Sequence, residues 1–189
     1  FKIEAASDGI QAENILDIQN GTFDITTGNG SAAVDMKSGD SGAMGGMGTM
    51  GVPGQNGSAG TSASSASTSS DTDSVSMKGL KASNAIYICG GTITLDTEDD
   101  GIHSNDSITI ESGNISIRSG DDGVHADSSL TLNGGAITVG YCYEGLEAKD
   151  IVINNGDITI SAEDDGINAS DGSSTMQTGG FGMGGQNQS

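Results

Sequence analysis

A short motif returns along this chain at a nearly constant interval, and that interval restricts the fold more than any other feature. Lys78-Gly79-Leu80-Lys81-Ala82, Asp100-Gly101-Ile102-His103-Ser104, Asp122-Gly123-Val124-His125-Ala126, Glu144-Gly145-Leu146-Glu147-Ala148 and Asp165-Gly166-Ile167-Asn168-Ala169 are five copies whose glycines lie 22, 22, 22 and 21 residues apart. Asp8-Gly9-Ile10-Gln11-Ala12 is a sixth. A period of about 20–25 residues, rich in strand formers and too short for a helix pair, marks a solenoid.

Each repeat reads as Gly, an apolar-x-small triplet, a turn, and two apolar-x-apolar triplets. The copy from Gly101 has Ile102-His103-Ser104, Ile108-Thr109-Ile110, a turn at Ser112-Gly113, then Ile115-Ser116-Ile117. Strict alternation means strands with every second side chain pointing inward. Three short strands per period, separated by Gly/Asn corners, give an all-β fold: a single-stranded parallel β-helix of about 22 residues per coil. Equivalent residues then stack about 4.8 Å apart in ladders along the axis.

Two segments break the pattern. The interval from Gly9 to Gly79 is 70 residues, one coil of 22 plus 48 more, filled by Gly-Met sequence around 42–48 and Ser/Ala/Thr sequence to Ser70. The expected organisation is β-helix coils over 1–30, a flexible Gly/Ser/Met-rich insertion over 31–77, coils over 78–172, and a flexible Gly/Met-rich tail over 173–189. The methionines are read as compositional, because such a loop fixes little geometry for a soft metal ligand. Phe1 to Gly9 aligns without a gap on Ile158 to Gly166, so the chain is expected to start inside a repeat, with earlier coils and any export signal missing. Cys89 and Cys142 fall at different corners about two coils apart, beyond the reach of a disulfide, and are expected to be free thiols.

Charge narrows the function classes. Twenty-six acidic residues against 6 basic ones give a net charge of −20, which argues against nucleic acid or anionic lipid as partner. No run of 18 apolar residues suggests a membrane-inserted helix. The acids are ordered by the repeat. Just before the glycines stand Asp8, Lys78, Asp100, Asp122, Glu144 and Asp165; one place earlier stand Ser7, Met77, Asp99, Asp121, Tyr143 and Asp164. Stacked carboxylates one strand apart repel, so they must be solvated or bridged by cations. One reading makes Asp-Gly plain turn chemistry, with Gly at positive φ. The other, which accounts for the doublets, makes Asp99, Asp100, Asp121, Asp122, Glu144, Asp164 and Asp165 ligands of calcium, a hard ion tolerant of irregular oxygen cages. Lys78 and Lys81 supply counter-charge in the first rung. Two places after each glycine comes a second outward column, in which His103, His125, Glu147 and Asn168 are candidate ligand-binding groups. A zinc site on the two histidines would want four ligands, and no thiol is placed to help.

The Asp-Asp-Gly-[Ile/Val]-x-[Ala/Ser] repeat on a 22-residue coil, with a Gly/Ser/Met-rich insertion ending in Lys78-Gly79-Leu80-Lys81-Ala82, resembles a family of secreted bacterial carbohydrate-binding β-helices. The resemblance implies a right-handed β-helix shaped like pectate lyases, bound Ca2+, and affinity for cellulose and acidic pectic polysaccharide. It also implies a secreted or cell-surface location. The expected function is non-catalytic, calcium-assisted binding of acidic plant cell-wall glycan by a monomer. Two alternatives stand beside it: a calcium-stiffened adhesin scaffold, and a calcium-dependent lyase, for which Arg118 and Lys149 are the bases that fall near the better acidic rungs.

Overall fold

The computed structural model describes residues 1–34 and 76–170. These form an all-β solenoid of parallel strands with the expected repeat, about six turns in all. Most of the expected insertion and all of the expected tail lie outside the described residues.

One face is a six-stranded ladder of β1 (Lys2–Ala5), β4 (Thr22–Thr27), β7 (Thr92–Thr97), β10 (Asn114–Ser119), β12 (Ala136–Tyr141) and β14 (Asp157–Ile160). A second face stacks β2 (Ile10–Ala12), β5 (Leu80–Ala82), β8 (Ile102–Ser104), β11 (Val124–Leu132), β13 (Leu146–Ile153) and β15 (Ile167–Ala169). The third carries β3 (Ile15–Ile18), β6 (Ala85–Ile88) and β9 (Ser107–Ile110), continued by the later halves of β11 and β13. Every pairing is parallel and joins equivalent positions of successive coils, 21–23 residues apart except across the insertion, where the partners lie 70 apart.

The inward columns are the core. Ile25, Leu95, Ile117, Val139 and Ile160 form one ladder, and Leu80, Ile102, Val124, Leu146 and Ile167 another. Where the cross-section tightens, Ala82, Ser104, Ala126 and Ala148 line up and are buried. Each buried Ile or Leu contributes about 2 kcal/mol. Burial fades at the last described coil, where Ile167 is 49% exposed because described chain stacks on one side of it only.

The glycines divide into two columns with different reasons. At the turn before the first face, Gly21, Gly91, Gly113, Gly135 and Gly156 have positive φ, between 99° and 135°, which disfavours other residues. The motif glycines are not in that region, so the expectation that Gly after Asp serves a positive-φ turn is corrected. They are needed for close approach: a Cβ on Gly101 would stand 2.6 Å from the Gly123 carbonyl oxygen, and one on Gly123 2.6 Å from that of Gly145.

The ends of the insertion that are described are tied to the solenoid. After β4 the segment 28–34, with a 3-10 turn at Ser31–Ala33, crosses successive coils lengthwise. Asn29 donates from its backbone N–H (2.6 Å) and Nδ2 (3.0 Å) to Glu98 Oε2, Ser31 N–H donates to Asp96 Oδ1 at 2.8 Å, and Tyr141 Oη donates to the Val34 carbonyl at 3.3 Å. On the return, Thr27 Oγ1 donates to the Met77 carbonyl and Ser76 Oγ to Asp8 Oδ1. Cys89 is half-buried, Cys142 is buried, and both are free; burial pushes the Cys142 thiol up to about 12.

Candidate functional site

The two columns read from the sequence are adjacent rows on one edge of the solenoid. The outward row of the second face is Gln11, Lys81, His103, His125, Glu147 and Asn168, each directly paired with the next. The row before the glycines is held in step by backbone bonds from Gly79 N–H to Asp100, Gly101 to Asp122, Gly123 to Glu144 and Gly145 to Asp165. All eleven anticipated site residues therefore fall on this edge, in the order the repeat implies.

The aspartates are less solvated than a surface ladder suggests. Asp100 is 2% exposed and Asp122 6%. Each uses one oxygen to clip the next coil: Asp8 Oδ1 accepts from Lys78 N–H at 2.9 Å, Asp100 Oδ1 from Asp122 N–H at 3.2 Å, and Asp122 Oδ1 from Glu144 N–H at 3.2 Å. This inter-coil clip was not read from the sequence. The signal for it was present, since an acid on successive rungs faces the N–H of its own equivalent.

The remaining oxygens meet different partners along the row. Lys78 Nζ lies 2.9 Å from Asp99 Oδ1 and 2.8 Å from Asp100 Oδ2, while Lys81 Nζ lies 3.2 Å from Asp8 Oδ2. Lys78 thus neutralises the following coil's doublet. His103 Nδ1 shares Asp100 Oδ2 at 2.8 Å, and its Nε2 faces Asn105 Oδ1 at 3.0 Å. Burial works to raise the Asp100 carboxyl, but the His103 hydrogen bond and the Lys78 charge outweigh it and hold it at about 2.

One coil on, the same motif behaves in the opposite way. Burial pushes Asp122 up to about 7, against the hydrogen bond from His125, with the charges of Asp100 and Asp121 adding to the rise. The hydrogen bond to Asp122 in turn raises His125 to about 9 against the effect of its own burial. Burial and the nearby carboxylates Asp100 and Asp99 also raise Asp121. Farther along, burial raises Glu144 against the Asn168 amide, whose Nδ2 donates to both Glu144 oxygens at 3.1 and 3.0 Å, with the charges of Glu147, Asp164 and Asp165 adding to the rise.

Four sets of ligand atoms each lie within 4.8 Å of one another: Asp99, Asp100 and Asp121; Glu144, Asp164 and Asp165; Asp100, His103 and His125; and Asp122, His125 and Glu147. They differ in chemistry. The first already has the Lys78 ammonium on two of its carboxylates. The second is all-oxygen, and its ion pairs among the described residues include no base. The last two mix imidazole nitrogen with carboxylate. Beside them His125, Asp127, Glu147, Lys149 and Ser170 line a shallow groove of about 290 Å³.

A family model for carbohydrate-binding domain-containing proteins matches residues 1–123 and 108–186. The chain belongs to that family. Its role is accordingly one of carbohydrate binding, and a solenoid edge that repeats polar groups in register suits a polymer that repeats as well. No curated protein and no solved structure matches the chain.

Lys149 lines the groove, whereas Arg118 lies against the Tyr141 ring, its guanidinium carbon 5.3 Å from the centroid. Of these two bases, Lys149 therefore shares a surface with His125 and Glu147.

Proposed function

We propose that this protein binds an acidic plant cell-wall polysaccharide of the polygalacturonate type, without cleaving it, along the edge that carries the acidic ladder. The observation that carries this is the unbroken in-register row Lys81, His103, His125, Glu147 and Asn168 beside the carboxylate row. Successive polar groups on a straight edge make many weak contacts to successive sugars, and affinity accumulates through multivalency. Lys149 offers a positive charge to a uronate in the groove, with His125, Glu147 and Asp127 as hydrogen-bonding groups for its hydroxyls.

A net charge of −20 opposes an acidic glycan unless cations intervene. Ca2+ fits the donor set of Glu144, Asp164 and Asp165, three carboxylates without a basic partner among the described residues, and would link them to uronate carboxylates. Ca2+ at Asp99, Asp100 and Asp121 has to compete with the Lys78 ammonium. The site for neutral glucan such as cellulose is poorer in the usual platforms: the chain has no Trp, and Tyr87 is the exposed tyrosine among the described residues. In this reading the protein acts outside the cell or on its surface, as a monomer.

Affinity electrophoresis through polygalacturonate gels tests the proposal, run once with Ca2+ and once with chelator. Retardation with Ca2+ and its loss with chelator is the expected result, with no unsaturated uronate released on prolonged incubation. Equal mobility in both gels, with the protein still folded, would rule out ion-bridged binding and leave the calcium-stiffened scaffold. Release of unsaturated product would replace binding with lyase chemistry.

A further inference from the structure

We infer that Asp122, His125 and Glu147 form a binding site for a borderline divalent transition metal of the Zn2+ class, shared between two adjacent coils. The site is separate from the all-oxygen calcium set and does not depend on the carbohydrate reading. His125 Nδ1 lies 3.1 Å from Asp122 Oδ2 and 3.4 Å from Glu147 Oε2. Ligands held tetrahedrally at about 2.0–2.1 Å from zinc stand about 3.3 Å from one another, so two of the three edges already have the needed length.

Three further features match what supports such a site. A metal-bound imidazole normally presents its other nitrogen to a carboxylate, and His125 Nε2 faces Asp127 Oδ1 at 3.4 Å. Ligating carboxylates are themselves usually oriented by a hydrogen bond, and Asp122 Oδ1 accepts the Glu144 N–H at 3.2 Å. The His125 ring is also steadied by the edge of His103, with centroids 4.9 Å apart.

The plain alternative is an ion pair in which His125 is protonated. A single Nδ1 proton points along one direction, yet two carboxylate oxygens approach that nitrogen from neighbouring coils. With Asp122 ionised, two carboxylates against one imidazolium also leave a net negative charge, at a place where Asp122 is buried. Among the described residues the ion pairs of Asp122 and Glu147 run to His125 alone, in contrast to Asp100, which has Lys78. Imidazole nitrogen with carboxylate oxygen selects zinc, nickel or copper over calcium, which prefers six to eight oxygens. Three protein ligands leave a position open toward the groove lined by Asp127, Lys149 and Ser170.

The test is equilibrium dialysis of the full chain against Zn2+ and separately against Co2+, in buffer holding excess Ca2+. One calcium-resistant ion per chain is expected, with Co2+ giving the intense visible bands of a low-coordinate nitrogen-containing site. His125→Asn should weaken Zn2+ binding at least tenfold and Glu147→Gln similarly. Zn2+ binding that Ca2+ displaces, or that His125→Asn leaves unchanged, overturns the assignment. Should His125→Asn fail to fold, ring resonances of the wild-type histidines during Zn2+ titration decide. A shift of the His125 ring supports the site, and an unmoved His125 ring overturns it.

Discussion

Asp100 and Asp122 occupy the same motif position one coil apart, each buried, each clipping the next coil and each facing a histidine three residues on. Their acidities nevertheless diverge, about 2 for the first and about 7 for the second. The difference lies in the coil below. Lys78 stands under Asp100 with its ammonium 2.8 Å away, whereas the residue under Asp122 is another carboxylate, Asp100. A repeat fixes where a side chain sits; its neighbours one strand away fix what charge it carries.

The largest way to break this contrast is Lys78→Met. Removing one partner of a buried pair leaves the other charge uncompensated, and a loss of about 3 kcal/mol in urea denaturation at neutral pH is expected. Adding Asp100→Asn should restore part of it, because the stranded charge is then gone. If Lys78→Met unfolds at the wild-type urea concentration, the charge account of this coil fails.

The two positions also respond to pH with opposite sign. Asp100 titrates below the ordinary carboxylate range when folded, so its contribution, about 2 kcal/mol, is present above about pH 3.8 and lost as pH falls through about 2. His125 is raised to about 9, so its contribution is present below about pH 6.5 and lost as pH rises through 9. Asp122, raised to about 7, likewise disfavours the fold as it loses its proton between about pH 4 and 7. Melting temperature measured in chelator should therefore decline from mildly acidic pH toward pH 9. Asp122→Asn should flatten the part between about 6.5 and 9, since the bond to Asp122 is the main cause of the His125 shift. A slope that this substitution leaves intact assigns the alkaline decline elsewhere.

The smallest expected effect on stability comes from the far end of the row. Asp164 and Asp165 are exposed, and Asp164→Asn with Asp165→Asn should change stability in chelator by less than about 0.5 kcal/mol. The same variant should lose the increment in melting temperature that Ca2+ gives the wild type. An increment of unchanged size would move any calcium contribution away from Glu144, Asp164 and Asp165.

How far the sequence reaches is visible in single residues. His103, His125, Glu147 and Asn168 were placed on one row by counting, and the strand pairings put them there, because in a parallel solenoid chain distance converts directly into register. The carbohydrate-binding family was legible too, in the acidic doublet on its 22-residue coil. The positive-φ reading of the motif glycine fails. Asp-Gly suggests a turn in any fold, and only the stacking of coils shows that a Cβ on Gly101 would strike the Gly123 carbonyl. Sequence reasoning also missed the lengthwise segment 28–34, since Asn29, Ser31 and Val34 meet Glu98, Asp96 and Tyr141 outside any period.

By itself, then, the sequence determined the coil, its ladders and the edge on which the polar groups gather, because these follow from periodicity and alternation. Only the tertiary structure decided the electrostatics of that edge: that Lys78 reaches forward to Asp99 and Asp100, that Asp122 and Glu147 converge on one nitrogen of His125, and that Glu144, Asp164 and Asp165 gather with no base among the described residues. The physical reason is distance. Charge interactions depend on a few ångströms between side chains of different coils, and a repeat that gives each coil the same backbone leaves those distances to whichever side chains happen to stand above and below.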